Sequence, residues 1–330
     1  MRKQRKMRLI ALLITAVAAL LIFGYIRFFN GKLIYISTGF GKDDLFKTGN
    51  NTATLMEAKI LLSDAKTEYE ALFGSDIWQQ SIGDVSFDDF VKDQVKTKLE
   101  RVYCMNVMAD KNGVVLSRNQ RDAVEDAGDE YYGALTEDQI KELNVTKEKL
   151  VNMFTRFAVA QTLYNDMTES MDIEVSYDEA RVITIQYICA DTMEDIEAAK
   201  KRLDNNEIFY VVARDYNPDE YERECRRGEL DESFEEAAYN LASGEVSGII
   251  EAGGKYYIIK CSSDNDKSKT EANRTAILER RRLEAFNQEF EPFEAKQFVE
   301  FNSKAWDKIK TSSVGTISVK FEEIYNSYLN

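Results

Sequence analysis

At three breaks in the pattern of its first 140 residues the chain sets a hydroxyl residue three positions ahead of a Glu or Gln, where a helical run begins. The pairs are Thr54 with Glu57, Ser117 with Gln120 and Thr136 with Gln139. Each pair can close a capping box, in which the hydroxyl and the Glu or Gln side chain satisfy the two amides that a helix start leaves free. Thr54 therefore opens a helix over 55–73 that Gly74 stops. Ser86 opens a second, with Phe87, Phe90, Val91, Val95, Leu99 and Val102 on one stripe and Gly113 after its end. Ser117 opens a third helix and Thr136 a short fourth. Thr146 opens a long fifth through Leu150, Phe154, Phe157, Leu163 and Tyr164 to about Met171. Proline stands only at positions 218 and 292, so no ring interrupts this stretch. The stripes are wide, as helix-to-helix core requires, with room for some positions to line a groove for apolar peptide.

Ahead of these helices, Arg2, Lys3, Arg5, Lys6 and Arg8 precede an uncharged run at residues 9–26, which Arg27 closes. At ~1.5 Å per residue the run is ~27 Å long, enough for a hydrocarbon core. The basic flank belongs on the cytoplasmic side and everything after Arg27 outside. The small-x-small site Ala16-Val17-Ala18 falls inside the run, too early for cleavage, and no cysteine follows it for lipid attachment. The expectation is an uncleaved single-pass anchor, with the membrane contacted through residues 9–26. A short strand-like run, LIYI at 33–36, follows.

The net charge is −15, and the first 32 residues carry seven Lys/Arg and no acid, so the remainder is more acidic still. Such a body is repelled by phosphate backbones, and no nucleic-acid partner is expected. No calcium-loop spacing is present, so the acidity reads as a solubilising surface. The chain has no histidine, which excludes Ser-His-Asp and Cys-His catalysis and every histidine-ligated metal site. Cys104, Cys189, Cys225 and Cys261 form no C-x-x-C pair and read as single buried thiols.

The pattern changes at residues 181–189 (RVITIQYIC), which read as a buried strand. Helical segments follow at 192–205 and 207–215, Asn217-Pro218 breaks the chain, and a short helix covers 233–241. After Gly244, strands at 246–251 and 255–261 form a hairpin around Gly253-Gly254. The order β-α-α-α-β-β describes a compact α+β unit. A polar linker at 262–269 leads to a charged helix over about 270–290, with Pro292 after it. Within that helix Arg280, Arg281 and Arg282 sit among Glu279 and Glu284, a salt-bridged surface face. The rest alternates short apolar runs around Trp306, Ile317, Phe321 and Tyr325.

The unit at 179–263 resembles a parvulin-type (rotamase) peptidyl-prolyl isomerase domain. The resemblance rests on FEEAAYNLASGEVSGIIEAGGKYYIIKC at 234–261, on RRGEL at 226–230 and on ARDYNPD at 213–219. An anchored chain with a helical half before such a unit and a helix after it is similar in layout to the PrsA and SurA foldases. The fold class implied is mainly α with an α+β insert, in four parts: 1–32 flank and anchor, 33–178 helical chaperone-like domain, 179–263 parvulin-like domain, and 264–330 a C-terminal helix and tail packing on the helical domain. In the family two histidines on the first and last strands face each other across the site. Here those positions are expected at Gln186 and Tyr257, and the family's Asp-or-Cys position at Asp219. The apolar proline pocket is expected at Leu230 and Phe234. The implied function is a membrane-anchored extracytoplasmic folding factor that binds unfolded or proline-containing segments of exported polypeptides. It needs no cofactor and no metal, and with both histidines replaced it is expected to turn proline slowly or not at all. An active isomerase using Gln186 and Tyr257, and a non-catalytic structural or adaptor protein, are the alternatives.

Overall fold

The computed structural model describes residues 39–169 and 171–329. The expected anchor at 9–26 and the run at 33–36 lie outside the described residues. Among those described, no helix is long and apolar enough to cross a membrane. The chain is mostly helical with small sheets.

Strands β1 (Asp44–Thr48) and β2 (Asn51–Thr54) lead into α1 (Leu55–Phe73). Thr54 caps it as its sequence requires: Glu57 N donates to Thr54 Oγ1 at 3.4 Å, and Thr54 N donates to Glu57 Oε2 at 2.6 Å. Glu57 is only 4% exposed, and the Tyr103 hydroxyl donates to its other oxygen at 2.7 Å. Burial pushes this carboxyl above the usual range, with Tyr103, Thr54 and Arg156 pulling back. A short hairpin, β3 (Ser81–Ile82) and β4 (Val85–Ser86), precedes α2 (Phe87–Asn112), which ends at Gly113 with φ of 70°. Capping boxes at Ser117 and Thr136 open α3 (Arg118–Ala134) and α4 (Glu137–Leu143), and α5 (Lys147–Glu169) follows.

The core of these helices is completed from the far end of the chain. Leu45, Ile60, Leu99, Tyr103 and Phe154 share one buried cluster with Phe286, Phe290 and Phe321. Phe321 stacks on Phe154 at 4.5 Å and meets Phe157 edge-on at 4.8 Å. Strand β9 (Val299–Phe301) pairs antiparallel with β1, placing Phe301 opposite Phe46.

The α+β unit begins with a single turn, α6 (Tyr177–Ala180). It continues through β5 (Ile183–Ala190), α7 (Met193–Asp204), α8 (Phe209–Tyr216), β6 (Glu222–Cys225), α9 (Glu232–Tyr239), β7 (Ile250–Ala252) and β8 (Lys255–Ser263). The sheet order is β6-β5-β8-β7, antiparallel throughout. The expected β-α-α-α-β-β order therefore lacks one strand, β6, whose sequence EREC is too polar to read as one. The strand expected over 246–251 contracts to 250–252, with Val246 making one isolated bridge to Lys260.

Helix α10 (Lys267–Glu294) joins the two regions. Near its start Thr270 Oγ1 accepts from Val182 N at 3.0 Å, and Asn273 donates to Ala180 O at 2.9 Å. Further along, Phe286 and Phe290 enter the helical core. The expected stop before Pro292 is corrected: the helix runs through it to Glu294. A proline in the last turn forfeits one backbone bond, and Phe290 and Phe293 with Lys111 over the Phe293 ring at 4.6 Å hold the turn in place. Within the Arg triplet, Arg280 pairs with Glu284, Arg282 with Glu279 and Arg281 with Glu179. After β9 come α11 (Ser303–Trp306) and α12 (Phe321–Leu329).

Two predictions arise from this architecture. Asp64 Oδ2 accepts from Phe321 N at 2.8 Å, at the start of α12. Burial first, with Glu322 adding, raises the Asp64 pKa from 3.8 to about 7. Between those values the folded chain holds the proton more tightly, so this contribution to stability is full below 3.8 and is lost as pH rises through about 7. Urea midpoints should therefore fall between about pH 4 and 7, and Asp64→Asn should flatten part of that slope. An unchanged slope in the variant would refute the assignment. The second concerns the thiols. All four cysteines are free, with Cys104, Cys225 and Cys261 buried and Cys189 half-buried. Cys189 pairs across the sheet with Tyr257, and Cys261 with Ile185. The two thiols are thus four rungs, ~13 Å, apart along the ladder, beyond the ~7 Å a bridge allows. Non-reducing peptide mapping should find no Cys189–Cys261 link.

Candidate functional site

Both faces of the four-stranded sheet are covered. On one lie Ile183, Ile185, Cys225 and Ile259 under Phe234, Ala238 and Tyr239 of α9. On the other lie Ile188, Ala190 and Ile258 under Ile196 of α7 and Phe209 and Val212 of α8. Side chains alternate along a strand, so Tyr187 falls on the α9 side with Ile183 and Ile185, while Gln186 falls on the opposite side.

A cavity of about 160 Å³ opens on the α9 side. Its walls are three rings: Phe234 and Tyr257 at 5.0 Å and 85°, Tyr187 and Phe234 at 6.3 Å and 82°, and Tyr187 and Tyr257 at 6.4 Å and 54°. Leu230, Ala252 and Gly253 add apolar surface, and Arg223 and Asp231 bring charge. The helix start that carries Phe234 is fixed by Asp231, which accepts from Ser233 N at 3.1 Å. Gly253 and Gly254, at φ of 56° and 76°, make the two-residue turn between β7 and β8. A left-handed pair of this kind is a turn that glycine makes without strain.

Of the residues expected at the site, Leu230, Phe234 and Tyr257 line the cavity. Gln186 does not; its amide donates to Glu222 Oε2 at 2.8 Å on the other side of the sheet. The residue facing Tyr257 from the first strand is Tyr187, one position along. Asp219 is exposed in the loop after α8 and lines no part of the cavity, whose carboxylate is that of Asp231. The sequence reading missed Tyr187 and Arg223. Parity would have found Tyr187 once any neighbour's face was known; nothing in EREC marks Arg223 as a cavity residue.

Burial pushes the Tyr257 hydroxyl up to about 12, with the neighbouring Cys189 thiol adding to the shift. Burial, with Glu220, also raises Tyr187. Both hydroxyls are therefore neutral donors at physiological pH. Among the described residues no group of three or more His, Cys, Asp or Glu is placed to hold a metal ion. The arrangement offers an apolar, ring-walled slot whose two tyrosines carry neutral donors. Prolyl isomerisation breaks no bond, so such a slot needs neither a nucleophile nor a base to act on proline.

Comparison with known proteins gives the following likenesses. Residues 184–263 match the family described as Rotamase, the PPIC-type PPIASE domain. The chain is 24% identical over 220 residues to the foldase protein PrsA of Caldanaerobacter subterraneus subsp. tengcongensis, covering 63% of this chain and 69% of the relative. It is 25% identical over 219 residues to foldase protein PrsA 4 of Bacillus cereus, covering 62% and 76%. A crystal structure of the peptidylprolyl isomerase PrsA from Bacillus cereus aligns over 88% of this chain and 100% of that one, at 14% identity and a TM-score of 0.38. The chain is thus similar to PrsA-type foldases and carries a parvulin-type domain.

Proposed function

We propose that this chain is a membrane-anchored, extracytoplasmic folding factor that binds unfolded or proline-containing segments of exported polypeptides. The observation that carries the reading is the cavity walled by Tyr187, Phe234 and Tyr257, in a chain with no histidine. Burying a proline ring against these walls supplies binding, at about 25 cal/mol per Å² of apolar surface. Fast twisting of the amide depends on polar groups aimed at it, and the positions expected to carry the family's histidines hold Gln186 and Tyr257, with Tyr187 beside Tyr257 at the cavity. The domain accordingly binds with little or no isomerase rate. Residues 33–178 with 264–330 form the body that cradles the client, and the uncharged run 9–26 supports the anchor. The similarity to foldases named PrsA supports polypeptide clients.

A proline-limited refolding assay tests this. The natural chain should suppress client aggregation while accelerating the proline-limited phase little. The opposite reading, an active isomerase, draws on the two tyrosines whose rings lie 6.4 Å apart at the cavity. Robust acceleration that disappears in Tyr257→Phe would establish it and end the binding-only account. With no histidine to titrate, peptide binding should show no step near pH ~6.5.

A further inference from the structure

We infer that Arg223 makes this cavity selective for proline segments that carry an acidic side chain next to the proline. The inference rests on the peptide-binding reading of the cavity and adds the substrate class. Arg223 stands on β6 opposite Ile185, and its side chain forms part of the cavity wall beside the three rings. Its Nε is buried and has no hydrogen-bond partner. Among the described residues no carboxylate lies within 4.0 Å of its guanidinium, although the chain carries 58 acidic residues against 43 basic ones. Its sequence neighbours show what an arginine here ordinarily finds. Arg226 pairs with Glu229 at 3.6 Å, and Arg227 with Asp178 at 2.6 Å and Glu235 at 3.7 Å. Arg223 has instead the Cys225 thiol, a weak acceptor.

The other charges around the cavity are already engaged. Asp231 accepts from Ser233 N and lies at the N-terminus of α9, where the helix dipole favours a negative charge. Glu222 takes the Gln186 amide, and Lys255 pairs with Asp191 at 3.0 Å. A peptide that seats its proline against Phe234 therefore meets one unsatisfied cationic group at close range. A guanidinium presents a planar fork of donors that matches a carboxylate, and a charge-assisted pair beside apolar walls is stronger than one in open water. A lysine in the same place would meet like charge.

The test is fluorescence anisotropy with the full-length chain in detergent micelles at ~0.15 M salt. Two panels of short labelled peptides carry Glu, Gln or Lys immediately before or immediately after a single proline. In one panel the Glu peptide should bind about five- to tenfold tighter than the Gln peptide, with Lys weakest. Arg223→Met, which keeps the stem, should abolish the ranking, and Arg223→Lys should keep part of it. If Arg223→Met fails to fold, the wild-type ranking and the lysine variant still decide. Equal affinities for Glu, Gln and Lys in both panels, with binding still lost in Phe234→Ala, would overturn the inference and leave the cavity reading standing. No binding of any peptide above a proline-free control would overturn both.

Discussion

Phe321→Ala is expected to lower the unfolding free energy of the helical region by about 3–5 kcal/mol, the usual cost of removing a fully buried phenylalanine. The ring is 1% exposed and touches two other rings, Phe154 and Phe157, that belong to a helix more than 150 residues earlier. Its own backbone amide is held by Asp64. The cavity left by the substitution has walls on separate helices, so collapse around it is limited. Phe73→Ala is the matched control: Phe73 is 62% exposed and should cost no more than about 0.5 kcal/mol. Urea denaturation followed by far-ultraviolet circular dichroism measures both. A loss for Phe321→Ala no larger than that for Phe73→Ala would mean that the tail does not belong to the core.

The second large effect concerns the cavity. Phe234→Ala should weaken peptide binding at least about tenfold, the equivalent of ~1.4 kcal/mol, because it removes the ring that both tyrosines contact. Tyr187→Ala should act in the same direction. Gln186→Ala should leave affinity within about twofold, since its side chain is bonded to Glu222 on the far face. A double substitution that sets two imidazoles into the cavity wall belongs at Tyr187→His with Tyr257→His. Placed at 186 instead, one of the rings would point away from the substrate. Titration of labelled proline peptide reads all of these. Equal losses in Gln186→Ala and Tyr187→Ala would reverse the assignment of the strand's two faces.

That contrast also shows how far the chain could be read from its letters. Helix starts were legible to the residue at Thr54, Ser117 and Thr136, because capping is a local bargain between a hydroxyl, a side chain three positions on, and two amides. The inward side of β5 was not legible. Its sequence ITIQYICA is apolar at positions of both parities, since helices cover both faces of the sheet, and a strand buried on both sides carries no alternation to fix its register. The family motif selects Gln186 on that strand, and the side chain that lines the cavity is Tyr187, one position along. Leu230 and Phe234 were found because their motif lies on a helix start, where spacing is rigid. Arg223 was missed because an edge strand of alternating charge looks like a loop. Pro292 was overread: a breaker ends a helix only where packing does not hold the turn.

The completion of the first core by Phe286, Phe290 and Phe321 sets an order on the chain's synthesis. As the polypeptide emerges N-terminus first, α1 to α5 are made early yet lack the rings that close their interior. The α+β unit draws its sheet from residues 183–263 and both of its apolar clusters from within that span, so these have appeared before α10 is finished. The unit in the middle of the sequence can thus reach its native state while the region that began first still waits. For that interval the nascent chain exposes the aromatic surface of its own unfinished half. Contacts spanning such a separation are slow to form, and the arrival of Phe321 ends the delay.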